Sequence, residues 1–195
     1  MNKQIIICTA MAFALSLTAS ARELKSFLGV KFGATAAENK LSGPDEDGDY
    51  TFLPNGKTPN DAIDYYAFVT HSSKRVYSVT MNHTCLAPQV NGLMKEYVKL
   101  FQGYNEAWSV LSLAEKKEQL DSVNEGLSKI GLSVAAKDFN AWTFKNAKGE
   151  VCQLMTLYVF RQGISATIVA TVTDIKLSAL DDAETACEAS KTLAE

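Results

Sequence analysis

Residues 142–174, WTFKNAKGEVCQLMTLYVFRQGISATIVATVTD, constrain the fold of this chain more than any other stretch, because they read as three consecutive antiparallel strands. The middle strand, residues 151–160, is apolar at nearly every position. The third places Ile164, Ala166, Ile168, Ala170 and Val172 on one face and mostly Ser and Thr on the other. A fainter copy occupies residues 50–82, with strands expected over 50–53, 63–70 and 75–82 and with Tyr77, Val79 and Met81 sharing a face.

An offset of 91 residues lays Tyr77 on Ile168, Val79 on Ala170, Met81 on Val172 and Phe68 on Val159, and an offset of 92 lays Thr51 and Phe52 on Thr143 and Phe144. The expected fold is therefore α+β. Two similar antiparallel three- to four-stranded sheet units carry helices packed on one face, a tandem pseudo-repeat with halves at about 22–105 and 106–195.

The first 21 residues have the three parts of a secretory signal: Lys3, an apolar run over residues 5–14, and the small-residue exit Ala19-Ser20-Ala21. Residues 1–21 are read as a signal peptide and 22–195 as the exported α+β domain, periplasmic or secreted, with no transmembrane segment after cleavage. Removing Lys3 leaves 18 basic against 22 acidic residues, a formal charge of −4 with the basic residues scattered, which argues against nucleic acid as a partner. Of the cysteines, Cys8 leaves with the signal. Cys85, Cys152 and Cys187 remain, so an oxidising compartment predicts a disulfide, with Cys85–Cys187 the preferred pairing because Cys152 lies inside an apolar strand.

Helical signals come between and after the strand sets. Thr35 with Glu38 is a capping box that predicts a brief helix over 36–41. Residues 88–104 carry Val90, Leu93, Tyr97, Leu100, Phe101 and Tyr104 as one stripe. Ser112 with Glu115 opens another helix, with Leu113, Leu120, Val123, Leu127 and Ile130 as its apolar face and Gly131 as its stop. A last helix over about 177–193 should turn Cys187 toward the sheet.

Chemistry is sparse. The sequence holds no G-x-S-x-G, no Gly-rich phosphate loop, no H-E-x-x-H and no paired C-x-x-C, and no cofactor is expected. In the polar loop 42–49, Asp45, Asp47 and Asp49 are a weak cation candidate, since Tyr50 stands where an EF-hand loop needs its glycine and Gly56 where it needs its closing glutamate. His83 and Cys85, two apart on a strand, point the same way and offer a thiolate–imidazole pair. Asn82-His83-Thr84 fits a glycosylation sequon. The binding candidates are aromatic: Tyr65 and Tyr66, adjacent so that one faces away from the core, with Trp108 and Trp142 in or beside turns.

The motifs FLGVKFGAT at 27–35, SKRVYSV at 73–79 and ATVTDIKL at 170–177, followed by an A-x-x-A-x-E-x-S stretch, together resemble a group of uncharacterised small secreted bacterial α+β proteins. Members of that group open with F-G-x-[ST], carry a K-x-[IV]-Y strand and close with a D-x-x-L helix. The resemblance implies export and fold and assigns no activity. The tandem helix-plus-sheet plan is also similar to that of the secreted β-lactamase inhibitor protein, at the level of fold analogy alone. The function expected from the sequence is a non-enzymatic exported protein that binds a protein or cell-envelope partner on the Ser/Thr sheet face and its loops. The alternative is a hydrolase-type enzyme of the periplasm or cell surface that uses His83, Cys85 or the acidic loop.

Overall fold

Strands β1 (Ser26–Phe27) and β2 (Val30–Lys31) form a hairpin closed by Leu28 at φ 52° and Gly29 at φ 92°, the left-handed pair that a two-residue primed turn requires. The structure, a computed structural model, describes residues 24–46, 48–54, 60–103, 108–146 and 148–192. Thr35 and Glu38 do bond reciprocally, Thr35 N–H to Glu38 Oε2 at 2.7 Å and Glu38 N–H to Thr35 Oγ1 at 3.2 Å. The helix expected over 36–41 does not follow, because Lys40 at φ 55° leaves the helical region and the segment resolves into turns.

Beyond the loop come β3 (Tyr50–Thr51), β4 (Ile63–Val69) and β5 (Val76–Leu86). A 3-10 turn over Ala87–Gln89 then leads into α1 (Val90–Gln102), and β6 (Ser109–Val110) precedes α2 (Leu113–Ser128). The second strand set is β7 (Phe139–Lys145), β8 (Val151–Gln162) and β9 (Ser165–Asp174), and α3 (Ile175–Thr192) follows it directly. The two strand sets do not build two sheets. They join in one seven-stranded antiparallel sheet of order β3-β4-β5-β9-β8-β7-β6.

The join is the pairing of β5 with β9, in register from Ser78 opposite Thr173 to Leu86 opposite Ser165. Thr80 lies opposite Thr171 with the hydroxyl oxygens 2.9 Å apart, and Ser78 bonds Thr173 at 3.0 Å. This Ser/Thr row, expected to be an open surface, is closed at its centre: Ser78 is 5% and Thr80 8% exposed, their hydroxyls satisfied by Thr173 and Thr171 of β9.

Helices cover both faces, which corrects the expectation of one. On the first face Val79, Met81, Met155, Leu157, Ile168, Ala170 and Val172 pack under α1, whose Leu93, Met94, Tyr97, Val98 and Phe101 face them, and against Phe27 and Val30 of the first hairpin. On the other, Phe139 and Ala141 of β7 with Leu154, Tyr158 and Phe160 of β8 meet Leu120, Val123 and Leu127 of α2. The near-continuous apolar run of β8 has its cause here, since a strand buried on both sides has no polar face to alternate with. At the outer ends of the predicted α2 stripe, Leu113 and Ile130 are exposed.

The predicted cap of α2 is present: Ser112 N–H reaches Glu115 Oε2 at 2.9 Å and Glu115 N–H reaches Ser112 Oγ at 3.3 Å. Helix α3 is held at the turn between β4 and β5, where Asp181 accepts from His71 N–H at 2.6 Å and Glu184 from Ser72 N–H at 2.6 Å and Ser73 N–H at 3.2 Å. Its Cys187 is exposed and does not face the sheet. Before β1, Leu24 is fastened by the buried amide of Gln153, which accepts from Leu24 N–H at 2.9 Å and donates to Leu24 C=O at 2.7 Å. Among the described residues no helix is long and apolar enough to cross a membrane.

Candidate functional site

A helix places side chains four residues apart on one side, one turn above the other. On α1 this makes two neighbouring columns, Met94 with Val98 and Asn91 with Lys95 and Lys99. The apolar column turns inward to the core cluster while Lys95 and Lys99 stay exposed. Opposite them Lys137 and Asp138 end a 3-10 turn and Asn140 lies in β7, so that α1 and β7 enclose a groove of about 500 Å³. The groove exists because Asn140 brings a half-buried amide to a position where β7 otherwise alternates bulky Trp142 and Phe144 toward the same face.

The charge balance inside is uneven. Asp138 is 9% exposed, and its carboxylate is gripped by Arg161 from β8, Nη1 to Oδ2 at 2.5 Å and Nη2 to Oδ1 at 3.4 Å. Lys95, Lys99 and Lys137 have no ion-pair partner among the described residues. A chain of formal charge −3 thus concentrates three unmatched cations around an apolar wall. Sequence reasoning passed over these residues because lysines four apart on a helix read as a solvated face. The available signal was the polar column lying directly beside the Met94–Val98 column.

His83 and Cys85 share a side of β5, as their spacing predicts, but are tuned against the proposed chemistry. His83 Nδ1 is hydrogen-bonded to Tyr97 Oη at 2.7 Å, and burial pushes the imidazole down from its ordinary value. Burial pushes the Cys85 thiol up, and the nearby Arg161 charge offsets this in part. Both groups are driven toward their neutral forms, the opposite of a thiolate–imidazolium pair. Tyr97 is itself pushed up to about 12, chiefly by burial.

No disulfide is found among the described residues, where Cys85 is half-buried, Cys152 buried and Cys187 exposed. They stand on β5, β8 and α3, the last tied to the turn before β5. Asn82 of the sequon lies inside central strand β5, paired with β4 and β9, with its Oδ1 buried.

The aromatic candidates separate. Trp142 is 6% exposed and part of the core, because β7 is covered on both faces. Trp108 is half-buried with its ring edge-on to Phe144, centroids 6.5 Å apart. Tyr65 and Tyr66 line a surface depression of about 240 Å³ beside β3, rimmed by Asp61 and Asp64. Tyr65 packs on Phe52, and Tyr66 is pushed up by burial and by the charges of Asp64, Asp45 and Asp49.

In the acidic loop, Asp45 closes a turn on itself: its N–H donates to Asp49 C=O at 2.9 Å and its Oδ1 accepts from Asp49 N–H at 2.8 Å. Asp47 lies outside the described residues, among which no three metal-ligating side chains gather. Compared with family models, curated proteins and solved structures, the chain matches none.

Proposed function

We propose that this protein is an exported, non-enzymatic binding protein and that the groove between α1 and β7 receives a negatively charged part of a protein or of a cell-envelope component. The observation that carries the reading is the set of three unmatched lysines around Met94 and Val98, beside an aspartate already neutralised by Arg161. One exposed ion pair contributes only about 0.2–1 kcal/mol, so binding here needs several contacts at once together with the apolar wall. The test is a titration of the purified protein with polyglutamate and with an acidic polysaccharide at low and high salt. Binding that weakens with salt and is lost in Lys95→Glu/Lys99→Glu supports the reading; no binding of either polyanion at low salt refutes it.

Export belongs to the same proposal, with residues 1–21 as the leader, and is checked by finding Arg22 at the N-terminus of the protein recovered outside the cytoplasm. So does membership of the secreted group that opens with F-G-x-[ST]; the Phe32-Gly33-Ala34-Thr35 segment is consistent with this in lying against the start of β5, Gly33 N–H to Val76 C=O at 2.9 Å.

We further read the two strand sets as a tandem duplication about a local two-fold axis. Two copies joined through their third strands require some residue to pair with its own equivalent. Thr80 and Thr171, 91 apart, are such a pair. The hairpin registers then equate β4 with β8 and β3 with β7 at an offset of 90, so that Ala67 corresponds to Leu157, Phe68 to Tyr158 and Phe52 to Trp142, in place of the sequence offsets of 91 and 92 that laid Phe68 on Val159 and Phe52 on Phe144.

A further inference from the structure

A second cavity, of about 470 Å³, lies between the first hairpin and the start of α3 and shares no lining residue with the α1–β7 groove. Its floor comes from the sheet. Gln153 of β8 and Asp174 of β9 stand directly opposite each other, and opposed residues of an antiparallel pair turn their side chains to one face. On that face the Gln153 amide is buried and engaged at both ends by Leu24, so it shapes the cavity and leaves a ligand no free amide.

The wall is the hairpin itself. Phe32 N–H donates to Lys25 C=O at 3.1 Å, which extends the ladder of β1 and β2 by one pair and sets Lys25 and Phe32 on one side. Lys31 lines the cavity as well. Both lysines are exposed, and neither has an ion-pair partner among the described residues. Asp174 is half used: its Oδ1 caps α3 by accepting from Lys176 N–H and Leu177 N–H, each at 3.1 Å, while its Oδ2 takes no hydrogen bond among the described residues.

These charges select the ligand. An anion alone would meet the Asp174 carboxylate, and a cation alone would meet the two lysines. A small molecule that carries both signs answers each, and the half-buried Leu24 and Phe32 add apolar surface. We infer that this cavity binds the zwitterion of an α-amino acid or short peptide, its carboxylate at Lys25 and Lys31 and its ammonium at Asp174. The volume lies within the range of about 300–1,000 Å³ usual for small-molecule sites.

The test is calorimetric titration of the purified protein with alanine and with trialanine, each also in N-acetylated and in C-amidated form. At least one free zwitterion should bind, the tighter of the two setting the size of the ligand, and blocking either end should weaken it about tenfold. Asp174→Asn keeps a capping oxygen on α3, so circular dichroism should be unchanged while the penalty for N-acetylation disappears. Lys25→Gln/Lys31→Gln should in the same way remove the penalty for amidation. No heat from either alanine or trialanine at millimolar concentration overturns the inference, as does equal binding of free and blocked forms by the wild type, or penalties that persist in the variants. Lys95→Glu/Lys99→Glu serves as the control: loss of zwitterion binding there would move the site to the α1–β7 groove and overturn the inference, whereas a groove that takes up no polyanion leaves it standing.

Discussion

The strand sets β3-β4-β5 and β7-β8-β9 differ less in their strands than in what covers them. The apolar cluster beneath α2 draws on β7 and β8 and on none of β3, β4 and β5, so the second set is packed on two faces where the first rests mainly on the α1 side. Ala67 of the first set and Leu157 of the second are both fully buried, the second with the larger side chain. Their surface depressions have opposite signs as well, Asp61 and Asp64 beside β4 and the lysines beside β7. A strand pair serves as a rim or as a wall according to how many of its faces are covered.

That contrast is broken most directly in the core. Phe139→Ala, at a fully buried position under α2, should cost about 3–5 kcal/mol by urea denaturation. Phe68→Ala on half-buried β4 should cost at most about 2 kcal/mol. Equal losses would mean that the two sets are equally packed. Next, Arg161→Leu strands the Asp138 carboxylate and should cost about 2 kcal/mol at neutral pH, with the partial exposure of the arginine side chain keeping the loss below that of a fully buried pair. Adding Asp138→Asn should recover most of it, and a double variant no more stable than the single would show that the pair is incidental.

A smaller effect belongs to the seam where the sets meet. Thr80→Val or Thr171→Val alone should cost about 1 kcal/mol, and the double variant less than the sum, because each hydroxyl serves the other. Strict additivity would remove the coupling across the join.

Smallest is the tether of α3 to the β4–β5 turn. The Ser72 N–H, with Ser73 and the nearby His71, holds Glu184 below its ordinary 4.5. A carboxylate depressed by folding stabilises the fold above that ordinary value and loses its contribution as pH falls through the lower one. Protection of the amides of residues 71–73 and of α3 relative to their intrinsic exchange rates should therefore fall on acidification below about pH 4.5, and Glu184→Gln should show the lower protection already at neutral pH. An identical profile in wild type and variant would detach the helix from this mechanism.

The strands were legible because their alternation is local, and the α2 cap because Ser112 and Glu115 meet within one turn. The capping box of Thr35 and Glu38 shows the limit of such signals: both bonds form, yet the chain turns away at Lys40 instead of continuing as helix. What joins the halves was hidden, since the pairing of β5 with β9 links residues about ninety positions apart and leaves no mark on either strand. Burial on two faces was written in the apolar run of β8, which was read as a scaffold without its second cover. Of the groove only the polar column beside Met94 and Val98 was readable, because Lys95 and Lys99 form a groove wall only when Lys137 and the Arg161–Asp138 pair face them.

The fastening of Leu24 by Gln153 sets an order of events. The bond spans 129 residues, so a chain made from its N-terminus has its first hairpin in hand long before the amide that seats it exists. β1 and β2 close their own turn, and the same segment reaches β5 through Gly33 N–H to Val76 C=O at 2.9 Å and α1 through Phe27 on Phe101, centroids 5.5 Å apart, but the amide that fastens Leu24 comes only with β8. A chain that stops short of residue 153 lacks both bonds of that fastening.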